Sequence, residues 1–289
     1  MNIKALAALL APLLLAQAVS PALAQAPAVE RFKTMFEDRL HQQGDSFSLC
    51  VNTLSMTADF ERDLAAAIGD VLLTDVKVVD IEPLQPKRPL DTALSYSSDQ
   101  IYIVMAEQCD GFMGFVAAAA YPDWLTISRP YLAGRNFMVT KDQSINRLED
   151  IPTDRPVGSR FGNAGDAAMI TYLQTLPEAR RWKRYGYGEN TLLLDRLNDG
   201  TVAAAMVWEP MLDFATDGDP AAKGYKTIQT PFAVAPTYVG IGIRTIDSYL
   251  KEELGDAIKA LTEDGTIDEL LQKHHLAGVD TPPQTELNR

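Results

Sequence analysis

The sequence predicts an α/β protein of two lobes, each with a sheet that has a parallel core and is flanked by helices. Its 289 residues are too many for one small domain and suit two lobes. Short apolar segments typical of strands alternate with amphipathic helical segments, first over residues 47–116 and again over residues 135–208. This alternation indicates parallel strands. A late apolar segment, residues 238–243, returns the chain to the first lobe.

The first lobe is predicted from five segments. They are a strand at 47–52, a helix at 58–69, a strand at 76–81, a helix at 97–107 and a strand at 110–116. The first helix carries apolar residues at helical spacing and is expected to stop at Gly69, because glycine commonly ends helices. A further strand is expected to end at residues 128–131 and to lead out of the lobe.

The second lobe repeats the pattern. Its segments are a strand at 135–140, a helical turn at 147–152, a strand at 156–160, a helix at 163–176 capped by Asn163, a short strand at 185–187, a helix at 191–198 and a strand at 202–208. The chain finishes with helical segments at 248–262 and 264–273. We therefore expect lobe 1 to comprise residues 46–134 and 237–289, lobe 2 to comprise residues 135–236, and two hinge strands to connect them.

The first residues predict export. Lys4 forms a short basic region, residues 5–19 are almost entirely apolar, and Ala22-Leu23-Ala24 is a small-x-small cleavage site, which together are typical of a secretory signal peptide over residues 1–24. The apolar run is shorter than a membrane-spanning helix requires. An N-terminal membrane anchor is the alternative. We expect a periplasmic protein without membrane insertion, with a polar lead-in at residues 25–45.

Charge excludes one class of partner. The chain has 26 basic and 39 acidic residues, a formal net charge of −13. Loss of Lys4 with the signal peptide would leave 25 and 39, a net of −14. An acidic surface repels nucleic acid and anionic membranes.

The two cysteines, Cys50 and Cys109, are expected to form a disulfide in an oxidising compartment. They lie at the first and third predicted strands, which are neighbours in a doubly wound sheet, and neighbouring strands are close enough for a disulfide. Two free buried thiols are the alternative. A metal site is not expected, because the three histidines lack ligand spacing.

Four segments in order give the chain a family resemblance. They are the helix at 58–69, the turn at 128–131, the loop at 156–166 and the helix at 265–273, which resemble the "GFDVDLA", "FS-x-PY", "VGV-x-x-GTT" and "G-T-ID-E-L-L-x-K" motifs. With them the mature chain resembles the bacterial extracellular solute-binding protein family 3, the amino-acid-type binding proteins of ABC importers. The resemblance implies a two-lobe periplasmic binding protein of type II that delivers a small ligand to an ABC permease.

The chain departs from the pattern of that family at the expected ligand loop. Tyr121 stands where the family carries the arginine that grips an α-carboxylate, and residues 53–57 form a shorter loop than usual. We therefore predict that free polar amino acids do not bind tightly. A further set of residues is similar to accessory proteins of quinoprotein methanol dehydrogenases, the MoxJ/XoxJ type. This set comprises Cys50, Cys109, Asp110, Met113, Gly114, residues 128–131, Val207 and Trp208. That resemblance implies an alternative role, binding a periplasmic dehydrogenase or cytochrome c.

Topology predicts the ligand site. Ligands of open α/β sheets bind outside the carboxyl ends of the strands, and two such edges facing one another make a cleft. The predicted ligand-binding residues at these ends are Asn52, Thr53, Ala117, Tyr121, Trp124, Arg160, Asn163, Trp208 and Glu209. We expect Arg160 and Trp208 to touch a ligand together, with packing in the core as the alternative for the indole.

Catalysis and cofactors are not expected. Only Glu209 and Asp166 fall near the predicted cleft as carboxylates, and no histidine does. No catalytic triad or phosphate-binding loop is present in the sequence. The sequence therefore predicts a binding protein rather than an enzyme.

Overall fold

The computed structural model describes residues 46–82, 98–117 and 121–276. The predicted signal peptide and lead-in lie outside the described residues. The described part contains two sheets with helices on their faces, which confirms the predicted fold class. None of its helices is long and apolar enough to cross a membrane.

The first sheet has the strand order β2-β1-β3-β11-β4, and β5 also pairs with β11. Its strands are β1 (Ser46–Asn52), β2 (Asp75–Ile81), β3 (Gly111–Val116), β4 (Leu125–Ile127), β5 (Leu132–Gly134) and β11 (Thr237–Arg244). Strands β1, β2 and β3 are parallel, whereas β11 is antiparallel to its partners. Its helices are α1 (Ala58–Leu72), α2 (Ser98–Glu107), α6 (Ser248–Glu263) and α7 (Thr266–Lys273).

The second sheet has the order β10-β6-β9-β7-β8. Its strands are β6 (Asn136–Thr140), β7 (Val157–Arg160), β8 (Arg184–Tyr187), β9 (Ala204–Trp208) and β10 (Lys226–Ile228). Its helices are α3 (Ala164–Thr175), α4 (Asn190–Asn198) and α5 (Glu209–Ala215). Strands β7, β8 and β9 are parallel. Sequence reasoning missed β5, β10 and α5, all of which are short.

Hydrophobic cores form on both faces of each sheet. In the first sheet, Leu49 and Ile241 belong to the core that α1, α6 and α7 cover, while Cys50 and Phe112 belong to the core on the α2 side. This division follows from strand geometry, because successive side chains point to opposite faces.

The disulfide joins Cys50 and Cys109, whose Cα atoms are 5.7 Å apart. Its strands are neighbours as predicted, since Cys50 pairs with Phe112 in the parallel register of β1 and β3. Both cysteines are fully buried. The disulfide therefore lies inside the α2-side core of the first sheet.

The end of α1 differs from its prediction. The helix continues past Gly69 to Leu72, and Leu73 takes the left-handed conformation at the end with φ 52°. Gly69 serves close packing instead, because a Cβ there would lie 3.0 Å from the carbonyl oxygen of Thr74 and 3.1 Å from Val76. Glycine at this position therefore marks where helix and sheet approach, rather than a stop.

Candidate functional site

The carboxyl ends of both parallel cores lie where the chain crosses between the sheets. Val116, at the end of β3, pairs with Val239 near the start of β11. Trp208, at the end of β9, pairs with Asn136 at the start of β6. The amide of Asn136 donates to the Thr237 hydroxyl at 3.0 Å and ties the two crossings together. These edges form the candidate cleft.

Three predicted site residues lie at the first-sheet edge, and their polar groups shape the backbone there. The Asn52 side-chain oxygen accepts the N–H two residues later at 3.1 Å. The Thr53 N–H donates to the carbonyl of Ile81 at 3.1 Å, and the Ala117 N–H donates to a carbonyl of β11 at 2.7 Å. Residues 53–57 leave the edge as a short loop, as the sequence predicts.

Tyr121 and Trp124 are oriented into the protein rather than at a ligand. The Tyr121 hydroxyl donates to the Val116 carbonyl at 2.7 Å, and its ring packs on the core that contains the disulfide. Trp124 packs on the same core, with its ring 4.8 Å from that of Tyr102. The next residue pairs with Arg244 at the far end of β11. Trp124 therefore lies at the opposite end of the sheet from the candidate cleft, because the strand leading away from it is antiparallel.

A buried acid that sequence reasoning missed lies beneath this edge. Glu61, in the first turn of α1, accepts hydrogen bonds from the hydroxyls of Thr57 at 2.7 Å and Tyr131 at 3.0 Å. The Tyr131 hydroxyl in turn accepts the N–H of Gly114 at 2.7 Å. The other carboxyl oxygen, Oε2, is buried without a hydrogen-bond partner in the described structure. Burial raises the pKa of Glu61 to about 7, against the opposing effect of these hydrogen bonds.

The sequence does contain a signal for Glu61. It shares the spacing of Leu64, Ala65 and Ile68, which form the apolar face of α1 and are fully buried. An acid on the apolar face of an amphipathic helix must be paired, neutral or functional. Gly114 completes the arrangement with φ +82°, since a Cβ there would lie 3.1 Å from Glu61 Oε1.

Trp208 lies between the two sheets. A Cβ on Gly134 would be 2.2 Å from its Nε1 atom, so the indole packs directly on the crossing strand β5. Trp208 contacts the cores of both sheets, and Met56 from the first-sheet loop packs on the same second-sheet core. The Trp208 Nε1 atom is buried without a hydrogen-bond partner in the described structure. This geometry favours a packing role at the crossing.

Glu209 binds an arginine of the chain itself. Arg135, between β5 and β6, donates from Nε to Glu209 Oε2 at 2.9 Å and from a terminal nitrogen to Oε1. Glu209 is buried whereas Arg135 is mostly exposed. Burial, and then repulsion from Glu209, raise the pKa of Asp213 to about 6, one turn further along α5. The Glu209 carboxylate therefore forms an ion pair that stabilises the crossing between β5 and β6.

Asn163 caps α3 as predicted, because its side-chain oxygen accepts the N–H of Asp166 at 2.7 Å. Asp166 is itself buried and accepts from the Ser159 hydroxyl, from the Gly162 N–H at 3.1 Å and from the guanidinium of Arg184. This ion pair and its hydrogen bonds hold the loop that follows β7. Asp166 thus has a structural role in this loop.

Arg160 ends β7 at the second-sheet edge. The register places Ser159 opposite Met206, so Arg160 shares a sheet face with Val207. Trp208, although next to Val207 in β9, also packs on the core that contains Val207. The Nε atom of Arg160 is buried without a hydrogen-bond partner in the described structure, and burial lowers the pKa of the guanidinium.

Within the residues that the structure describes, no group of three His, Cys, Asp or Glu side chains is arranged to hold a metal ion.

Known structures share this fold. Substrate-binding domain 2 of GlnP from Lactococcus lactis, in an open conformation, is 18% identical over 82% of this chain and 97% of its own, with a TM-score of 0.59. An ancestral cationic amino-acid solute-binding protein is 18% identical over 84% of this chain and 99% of its own, with a TM-score of 0.60. A histidine-bound ABC uptake transporter substrate-binding protein from Streptococcus pneumoniae is 16% identical over 89% of this chain and 100% of its own, with a TM-score of 0.57.

These likenesses define the fold as that of two-lobe periplasmic binding proteins. No model of a known protein family matches the chain, and no curated protein matches it.

Proposed function

We propose that this protein is a periplasmic solute-binding protein that captures a small organic solute between its two lobes and delivers it to an ABC importer. The observation that carries the proposal is the meeting of both carboxyl edges at the crossings near Gly134 and Thr237. Ligands of open α/β sheets bind at such edges, and two bodies joined by short crossings close on a ligand by hinge bending.

The proposed lobe division is residues 46–134 with 237–289, and residues 135–236. It is supported by the sheets, because the described strands β1 to β5 and β11 form one sheet and β6 to β10 form the other. The proposed periplasmic location depends on residues 1–24 acting as a cleaved signal peptide. The three solved structures are described as a substrate-binding domain, a cationic amino-acid solute-binding protein and an ABC uptake transporter substrate-binding protein, which supports solute capture here.

We propose a binding role rather than an enzymatic one. The two carboxylates that the sequence places near the cleft, Glu209 and Asp166, hold Arg135 and Arg184. A general acid or base must reach the substrate, and Glu61 is fully buried. One ancestral neighbour is described as a precursor of cyclohexadienyl dehydratase, but its description concerns that protein. No observation favours the accessory role with a dehydrogenase or cytochrome c, and we do not propose it.

The proposal is tested by recovering the solute. Protein purified from the periplasm under native conditions should carry a small molecule that native mass spectrometry detects and denaturation releases. Adding that molecule to stripped protein should reduce the radius of gyration in small-angle scattering, because the lobes close. A protein that carries no solute, and whose scattering no periplasmic extract changes, would contradict the proposal.

A further inference from the structure

Arg160 is an unusual charge in this acidic protein. Its Nε atom is buried and donates to no hydrogen-bond acceptor in the described structure. Burial is the only influence that shifts its pKa, downward, so no acidic side chain offsets the cost of removing the guanidinium from water. Arg160 is partly buried, and even partial burial of a charge that has no acidic partner costs free energy, so such a residue is a candidate for a functional site.

The two carboxylates that the sequence predicts near the cleft pair with other arginines. Asp166 holds Arg184 and is also bonded to Ser159. Glu209 holds Arg135. With 39 acidic residues against 26 basic ones in the chain, a lack of acids does not explain why Arg160 is left over. The two predicted cleft acids are each paired with another arginine instead.

Arg160 lies on an apolar face of the second sheet. It pairs with Tyr187 across β8 and shares the face of Val207, in the core to which Met56 reaches from the first sheet. The next residue, Phe161, is 54% exposed, and Leu54 at the first-sheet edge is 59% exposed. The arginine therefore leaves β7 on an apolar face of the second sheet, and two exposed apolar side chains lie at the cleft edges.

The loop after Arg160 adds a second feature favourable to anions. It leads into α3, whose capped first turn points the positive end of the helix toward this edge. Gly162 in the loop has φ +79°, and no atom lies within 4 Å of the position that a Cβ would occupy. The loop at Gly162 is therefore open to solvent at the second-sheet edge.

We propose that the solute is an organic anion, a carboxylate with an apolar body, and that Arg160 of the second lobe holds its charge. This inference rests on the proposed function and names its ligand class. A guanidinium donates two parallel hydrogen bonds to a carboxylate, and the exposed apolar residues contact the rest of the solute. The bound anion would pair with the positive charge of Arg160, for which the described residues provide no acidic partner.

The test uses matched acids and amides. Linear carboxylates from acetate to octanoate and aromatic ones from benzoate to phenylpropionate, together with their neutral amides, are titrated at constant ionic strength by calorimetry. We expect at least one carboxylate to bind and its amide to bind much more weakly. Arg160→Gln should weaken that binding by about 30-fold or more, the effect of removing a charged partner at the centre of a site. Arg160→Lys should weaken it less, and Arg180→Gln, at an exposed position of the same lobe, should leave it unchanged.

Three results would overturn the inference: no carboxylate binds, an amide binds as well as its acid, or Arg160→Gln leaves affinity intact. The standard amino acids and the amides serve as the separate check on solute capture. If the wild-type protein closes in scattering on a neutral or cationic compound only, solute capture stands and the anion is wrong. If the stripped protein closes on no panel member and on no periplasmic extract, both proposals fail.

Discussion

Each cleft edge has an ionisable side chain with a buried, unpaired polar atom, and the two side chains differ in whether they can become neutral. Glu61, behind the first edge, has a carboxyl oxygen without a partner, and burial raises its pKa to about 7. Arg160, at the second edge, has an Nε atom without a partner. A carboxylic acid relieves the cost of burial by keeping its proton, whereas a guanidinium remains charged at any ordinary pH. Of these two side chains, only Arg160 therefore keeps a charge that a bound anion could offset.

The largest expected effect is the loss of stability when the disulfide of the first sheet, which lies away from the cleft residues, is removed. Replacing both Cys50 and Cys109 with alanine should cost about 4 kcal/mol of unfolding free energy, because the disulfide closes a chain segment of 59 residues. Urea unfolding followed by tryptophan fluorescence measures it. A loss below about 1 kcal/mol would mean that packing alone secures this sheet.

Arg184 provides the paired counterpart of Arg160. Arg184→Gln removes the partner of buried Asp166 and should cost about 3 kcal/mol, because an uncompensated buried carboxylate remains. Chemical denaturation at neutral pH measures the loss. The comparison would fail if Arg184→Gln and Arg160→Gln destabilised the protein equally.

The proton on Glu61 should make stability depend on pH. The folded pKa of about 7 lies above the ordinary value of 4.5, so the folded state binds more protons between these values. Stability therefore falls as pH rises from 4.5 to 7, by roughly 3 kcal/mol in total from this group. Glu61→Gln should remove this contribution, and the difference between wild type and variant at pH 4.5 and pH 8 measures it. Parallel pH profiles of the two proteins would show that Glu61 is ionised when folded.

A substitution at Gly134 tests the packing of Trp208 on the crossing strand β5. A Cβ there would lie 2.2 Å from Trp208 and 2.6 Å from Pro210, so Gly134→Ala should cost about 2 kcal/mol by forcing the indole or the crossing to move. Gly255→Ala is the control, since nothing lies within 4 Å of its Cβ position and alanine favours the α6 helix. Thermal melting compares the two. Equal melting temperatures of the two variants would show that Trp208 does not pack tightly on Gly134.

The smallest expected effect is that of Arg160→Gln on the ligand-free protein. Because the side chain has no partner to lose in the described structure, the free energy of unfolding should change by less than about 0.5 kcal/mol or rise slightly. Unfolding of the stripped variant measures it. A loss near that of Arg184→Gln would make Arg160 a structural residue and end the contrast between the two edges.

Local sequence patterns were sufficient for most elements of the fold. Apolar runs of strand length predicted β1, β3, β7 and β9 within one or two residues, and helical spacing predicted α1 and α6. The short elements β5, β10 and α5 were missed, because a few residues carry too little periodicity to separate strand or helix from loop. Gly69 was misjudged because a glycine needed for close helix–sheet packing has the same identity as one that ends a helix.

The sequence by itself determined the two-sheet α/β fold, the neighbouring cysteine strands and the carboxyl-edge location of Asn52, Ala117, Arg160 and Trp208, because these follow from periodicity and strand order. Only the tertiary structure decided which charged side chains pair with one another. It paired Glu209 with Arg135 and Asp166 with Arg184, and it placed Trp124 at the far end of the first sheet. Within the described residues it left the Nε atom of Arg160 without a hydrogen-bond partner. Charge pairing depends on distances between residues remote in sequence, and no local pattern encodes those distances.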